Sequence, residues 1–257
     1  MRKTLFTLFV GVLTLCLALV PAAVSATTIK VGASPIPHAD ILAQAVPVLA
    51  AQGITLEVVE FNDYVQPNLA LDQGELDANF FQHQPYLDTF NADAGTKIVP
   101  LIGIHIEPLG VYSSKINSLD ELKQRAQIAI PNDPTNGGRA LLLLQAAGLI
   151  EVDPKTGVQP TVFDITSNPL RLRFVELEAA QLTRALPDVD AAVINGNYAL
   201  LANLVPTEDG LFVEGAESPY VNIVAVREGE TDNPALQALA EALTTDHIRD
   251  FILQTYG

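Results

Sequence analysis

The chain has 257 residues, nearly half of them hydrophobic, with 30 Asp and Glu against 14 Lys and Arg and a formal charge of −16. Such an excess of acid excludes nucleic acid and anionic lipid as partners, because both repel a negative surface. The one cysteine, Cys16, excludes a disulfide framework.

Residues 1–26 read as an export signal. Arg2 and Lys3 form a basic start, 5–20 an apolar run, and Val24-Ser25-Ala26 a small-residue cleavage site. Pro21 follows the run and no basic stop-transfer cluster appears, so cleavage after Ala26 is predicted over a membrane anchor, which needs about 18 to 20 apolar residues. Cleavage removes Cys16, two positive charges and no acid, so the charge goes from −16 to −18. What remains is long enough for one large domain or two of ordinary size.

The elements then follow in order. A strand over 29–33 leads through a Pro-rich turn at 34–40 into a helix that Gly53 ends; a second strand covers 55–61 and a short helix 62–74. A third strand over 76–80 passes into a helix beginning at 83–87, and a fourth strand covers 97–101. Strands alternating with helices at these spacings predict a parallel α/β sheet. Residues 104–112 are strand-like but interrupted by Pro108 and Gly110, which suits a crossing into a second lobe. There the pattern restarts: a capping box at Ser118-Leu119-Asp120-Glu121, strands at 127–130, 173–177 and 189–194, and helices at 134–147 and 179–186. Residues 218–226 read as a second crossing, and 233–256 as one or two closing helices with Asp232 as N-cap. The predicted division is 27–107 plus 227–257 as lobe 1 and 108–226 as lobe 2. A ligand is expected in the cleft between them, off the carboxyl ends of the strands.

The segment 129–148 constrains function most. Asp133 is a good N-cap and Pro134 suits the first helical position, which places Gly137, Gly138 and Arg139 in the first two turns. Each interior glycine costs about 1 kcal/mol relative to alanine, so the pair predicts a close approach to the backbone. A helix N-terminus and an arginine leaning back toward it favour an anion, gripped by two parallel hydrogen bonds. The other strand ends supply Asn62, Tyr64, Phe81, His83, Tyr86, Asn195, Asn197 and Tyr198. Aromatic rings, a guanidinium and amides match a small zwitterion with an apolar side chain, its carboxylate on Arg139 and its ammonium on amide or acid oxygens. His38, His105 and His247 are scattered without metal-ligand spacing, and no metal or cofactor is expected.

Six motifs sharpen this: Gly-Ala-Ser-Pro-Ile-Pro-His-Ala-Asp at 32–40, Phe-Asn-Asp-Tyr-Val-Gln-Pro-Asn at 61–68, Asp-Ala-Asn-Phe-Phe-Gln-His-Gln-Pro-Tyr-Leu at 77–87, Pro-Asn-Asp-Pro-Thr-Asn-Gly-Gly-Arg at 131–139, Val-Ile-Asn-Gly-Asn-Tyr-Ala at 193–199 and Ser-Pro-Tyr-Val-Asn at 218–222. Together they resemble the methionine-binding substrate-binding proteins of ABC importers, over essentially the whole mature chain. The resemblance implies a two-lobed periplasmic-binding fold that captures free methionine, or a related amino acid, for a membrane permease. It also implies that Arg139 holds the carboxylate, that Asn195 and Asn222 hold the amino end, and that Tyr64, Phe81, His83 and Tyr86 surround the thioether. A monomer in the periplasm is expected. Members of that family commonly carry a cysteine at the cleavage point, whereas Cys16 lies mid-segment after Leu13-Thr14-Leu15, so a protein without a lipid anchor is expected. The competing function is an enzyme on the same fold acting on a small carboxylate or phosphate. It lacks a Gly-x-Ser-x-Gly, a His-Glu-x-x-His or a Gly-Lys-Ser/Thr turn to support it.

Overall fold

A computed structural model describes residues 27–215 and 218–256. The predicted export segment, with Cys16, lies outside the described residues. The chain opens with β1 (Thr27–Ala33), α1 (Asp40–Ala51), β2 (Ile54–Glu60), α2 (Gln66–Asp72), β3 (Ala78–His83), α3 (Gln84–Ala94) and β4 (Ile98–Ile106). After a crossing at 107–109 come β5 (Gly110–Tyr112), β6 (Gln127–Pro131), α4 (Pro134–Ala146), β7 (Glu151–Val152), β8 (Ile165–Ser167), β9 (Arg173–Leu177), α5 (Leu182–Ala185), β10 (Ala191–Ile194), α6 (Gly196–Leu201), α7 (Pro206–Asp209) and β11 (Phe212–Val213). The chain then returns through β12 (Val221–Arg227), α8 (Pro234–Leu243) and α9 (Asp246–Tyr256).

Two five-stranded sheets result, ordered β2-β1-β3-β12-β4 and β11-β5-β10-β6-β9. Each is mixed where an all-parallel sheet was expected. The strands that break the pattern are those next to a crossing: β12 runs antiparallel to β3 and β4, and β5 antiparallel to β10 and β11. Residues 221–226, expected in lobe 2, pair inside the first sheet. The run Asn222-Ile223-Val224-Ala225-Val226 is buried throughout, as a central strand covered on both faces must be.

Both faces of each sheet are covered, and the alternation along single strands shows it. Val224 and Val226 of β12 join Leu42, Phe80 and Leu239 on one face, while Ile223 and Ala225 join Leu71, Leu87 and Ile98 on the other. Ile128 and Ile130 of β6 pack with Leu141 and Leu144, and Ala129 packs oppositely with Leu182 and Ile194. Each such fully buried leucine contributes about 1.5–3 kcal/mol.

Local signals fared unevenly. Asp133 does cap α4, its Oδ1 accepting from the Asn136 N–H at 2.9 Å, and Gly148 (φ +75°) follows its end. The capping box at Ser118 opens only a 3-10 turn, Leu119–Glu121, because Leu122 turns extended and Arg125 takes a left-handed conformation (φ +67°). The helix expected over 179–186 divides into a 3-10 turn, Ala179–Gln181, and α5. Asn233, not Asp232, caps α8, accepting from the Ala235 N–H at 3.0 Å.

Candidate ligand-binding site

Where β3, α3 and β12 of the first lobe meet α4 and α6 of the second, the chain forms a small cavity lined from both lobes. All seven predicted residues line it: Tyr64, Phe81, His83, Tyr86, Arg139, Asn195 and Asn222. Tyr64 is half-buried and the other six are buried. Gln82, Glu107, Asn136 and Gly196, which sequence reasoning did not assign to the site, also line the cavity, as does Asn197, which it offered only among the strand-end amides. Asn136 and Asn197 sat inside the quoted motifs, three residues before Arg139 and two after Asn195. Glu107 had no such neighbour, since it was read as part of a crossing.

Arg139 stands on the second turn of α4. Its Nε donates to Glu214 Oε1 at 3.1 Å, and its Nη2 donates to Glu214 Oε2 and to the Glu107 carbonyl, the latter at 2.9 Å. The Tyr220 ring covers its face, 4.1 Å from Cζ to the ring centroid. A guanidinium has five N–H donors, so these contacts leave only the two on Nη1. The fork expected for a ligand carboxylate is therefore occupied by Glu214. The glycine pair also serves the chain itself. A Cβ on Gly137 would lie 2.9 Å from the Pro131 carbonyl, and one on Gly138 2.8 Å from Gln159 Cα, so the close approach is that of neighbouring backbone.

The scattered histidines converge after all, in that His38 and His105 both face Glu107. His105 Nε2 lies 2.9 Å from Glu107 Oε1, and His38 Nε2 lies 3.2 Å from the same oxygen and 3.1 Å from Asn222 Oδ1. Acceptors around both Nε2 atoms require each ring to carry its proton there. Burial alone would raise the Glu107 pKa, but the facing His38 and His105 rings and the Arg139 charge outweigh it and hold the group below its ordinary value. Burial lowers His38 to about 4, so the ring is neutral at pH 7. With Asn222 Oδ1 engaged, its amide N–H groups remain for the cavity.

His83 has both nitrogens engaged. Nδ1 accepts from the Tyr86 N–H at 3.2 Å, so Nε2 donates to Asn136 Oδ1 at 3.2 Å. Burial and the Arg139 charge lower its pKa to about 3, leaving a neutral ring face toward the cavity. Asn136 Oδ1 also receives Asn195 Nδ2 at 2.8 Å, and Asn195 Oδ1 is buried without a partner among the described residues. Gly196 sits beside it because the first crossing packs there, a Cβ meeting Glu107 Cβ at 3.1 Å.

At the far end the rings of Phe81, Tyr86 and Tyr198 gather around Tyr64, at centroid distances of 5.9, 5.8 and 5.1 Å from it respectively. Burial pushes the three phenols upward, so each stays a donor. Tyr64 donates to Asn197 Oδ1 at 2.6 Å and Tyr198 to the Asn62 carbonyl at 3.1 Å, each bridging the lobes. Gln159 Nε2 to Thr89 Oγ1, at 2.9 Å, bridges them again at the rim.

Two α/β lobes, joined by two crossings and closed around a cavity lined from both, define a two-lobed substrate-binding protein. The chain belongs to the NlpA lipoprotein family, whose profile matches residues 29–257. It is 49% identical over 198 residues to the D-methionine-binding lipoprotein MetQ of Escherichia coli, covering 76% of this chain and 73% of that one. A nutrient binding protein from Burkholderia cenocepacia, bound to methionine, superposes with TM-score 0.85 at 49% identity, covering 89% of this chain and 96% of that one. An ABC transporter periplasmic substrate-binding protein from Coxiella burnetii does so with TM-score 0.85 at 44% identity, covering 89% and 97%. These relatives are named as binding proteins, not enzymes. The lipoprotein names run against the expectation of a protein without a lipid anchor. Among the described residues no helix is long and apolar enough to cross a membrane.

Proposed function

We propose that this chain captures free methionine, or a closely related amino acid, outside the cytoplasm and hands it to the membrane permease of an ABC importer. It acts as a monomeric binding protein of the periplasm and performs no chemistry on its ligand. The observation that carries the reading is the division of one cavity into a polar end and a ring-lined end. Arg139 Nη1 and the Asn222 amide N–H groups receive the carboxylate; Asn195 Oδ1 and the Glu107 carboxylate receive the ammonium. Tyr64, Phe81, Tyr86 and the His83 ring surround the side chain, where a thioether gains about 0.3–1.5 kcal/mol per aromatic contact. Asn222 thus changes ends relative to the role the resemblance implied, because His38 occupies its carbonyl.

The test begins with protein unfolded, dialysed and refolded to strip bound ligand, followed by calorimetric titration with L-methionine, D-methionine and leucine. Saturable heat with a methionine enantiomer, and a melting temperature that rises with its concentration, is expected. Neither enantiomer producing heat or a shift, in protein that refolds, would overturn the proposal.

A further inference from the structure

We propose that Glu214 is a positioning residue for Arg139: it takes the Nε/Nη2 edge of the guanidinium and thereby aims Nη1 as the single nitrogen that meets the ligand carboxylate. The inference rests on the reading of Arg139 as the carboxylate site. Its basis is the donor count. Glu214 accepts from Nε and Nη2, the Glu107 carbonyl accepts the remaining Nη2 hydrogen, and Tyr220 lies against the face. Glu107 lies in the crossing at 107–109 and Glu214 and Tyr220 lie between β11 and β12, while Arg139 belongs to α4 of lobe 2. Glu214 is itself seated on the first crossing, its N–H donating to the Leu109 carbonyl at 2.9 Å.

Two consequences follow from the charges. Arg139 is only 4% exposed, and a guanidinium that deep needs a counter-charge whether or not a ligand is present. Glu214 supplies it permanently, so the ligand carboxylate meets a neutral pair and is selected by the direction of Nη1, not by net attraction. An arginine freed of Glu214 would keep its charge but turn its fork, and the carboxylate would lose its aimed partner while the ammonium and side-chain contacts stayed in place.

That asymmetry gives the test. Ligand-stripped wild type, Glu214→Ala, Arg139→Ala and the double variant are titrated with methionine and with methioninol, in which a hydroxymethyl group replaces the carboxylate. A positioning role predicts that Glu214→Ala weakens methionine about tenfold or more and methioninol less than about twofold. It also predicts that Glu214→Ala adds less than about twofold once Arg139 is alanine. Equal losses for both ligands, full additivity with Arg139→Ala, or unchanged methionine affinity would overturn it. If a thermal melt shows Glu214→Ala unfolded, the isosteric Glu214→Gln carries the same comparison, since its amide N–H groups face donors and cannot hold both edge hydrogens. Wild-type methionine binding by folded Arg139→Ala would instead remove the carboxylate reading itself. Loss there with an unchanged methionine-to-methioninol ratio in Glu214→Ala would remove only the positioning role.

Discussion

At the end of the cavity nearest the crossings, Arg139, Glu107, His38, Asn195 and Asn222 arrive from separate segments and bind mainly to one another. At the opposite end, Tyr64, Phe81 and Tyr86 present rings inward, with Tyr198 packed against Tyr64, and the three tyrosines send their hydroxyls to backbone and amide oxygens. The first end is expensive to bury and is made tolerable by pairing every charge; the second is favourable to bury and needs only that its hydroxyls find acceptors. Substitutions at the polar end should therefore cost binding and fold stability together. Those at the ring end should cost mainly binding.

Arg139→Ala is the largest break at the polar end. It removes the Nη1 donor and strands the Glu214 carboxylate and the Glu107 carbonyl. The expected loss in methionine affinity is on the order of 2–5 kcal/mol, roughly 30-fold or more, with a lowered melting temperature. Arg139→Lys should recover little of it, since an ammonium cannot serve Glu214, the Glu107 carbonyl and a ligand in this geometry. Calorimetry and thermal melts on the same samples check both effects.

Acid should break the site with the sequence intact. The folded-state values of His38, about 4, and His83, about 3, lie below the ordinary 6.5, so between those values the unfolded chain binds more protons. Stability is therefore full above about pH 6.5 and falls as the pH drops toward 4. Glu107, held below its ordinary value, adds loss in the same direction at lower pH; Asp133, raised by burial against the hydrogen bonds of Asn136, acts the opposite way. The net fall is expected to be on the order of a few kcal/mol, read as a melting temperature that declines steeply below about pH 6. A flat profile from about pH 7 to 4 would mean that the imidazoles ionise without cost.

How much of this was legible in the sequence follows the same division. The ring end and Arg139 could be read because each residue sits at the carboxyl end of a strand or in the segment that follows it, where α/β sheets place their ligands. The Asp133 cap was readable from its neighbours. What could not be read was pairing across long separations: Glu214 with Arg139, His38 with Asn222, and His105 with His38 around Glu107. No spacing rule joins residues 184 apart, as His38 and Asn222 are. The place of β12 was missed for a related reason, since an apolar run with a preceding Pro reads equally as a crossing or as a buried strand until its partners are known. The glycine pair was read as room for a ligand when its tenants are Pro131 and Gln159.

At the ring end, Phe81→Ala should weaken methionine by about 1–3 kcal/mol while moving the melting temperature of ligand-free protein less than Arg139→Ala does, because the ring borders the cavity. Methionine affinity as tight as wild type would place the side chain elsewhere.

The smallest effect separates ring from hydroxyl. Tyr64→Phe keeps the ring among Phe81, Tyr86 and Tyr198 and deletes one hydrogen bond, that from its hydroxyl to Asn197 Oδ1. This bond joins the lobes, so its loss falls on the closed state, while neither lobe's own core is touched. A hydrogen bond of this kind contributes about 0.5–1.5 kcal/mol net, and the amide oxygen left behind sits at the cleft where water can reach it on opening. The expected outcome is a fewfold weaker methionine affinity carried by faster release, with the association rate nearly unchanged, since encounter occurs in the open form. Stopped-flow measurement of both rates decides it. A slower association with unchanged release would show that Tyr64 acts on the open protein, and the hydroxyl would then belong to capture and not to closure.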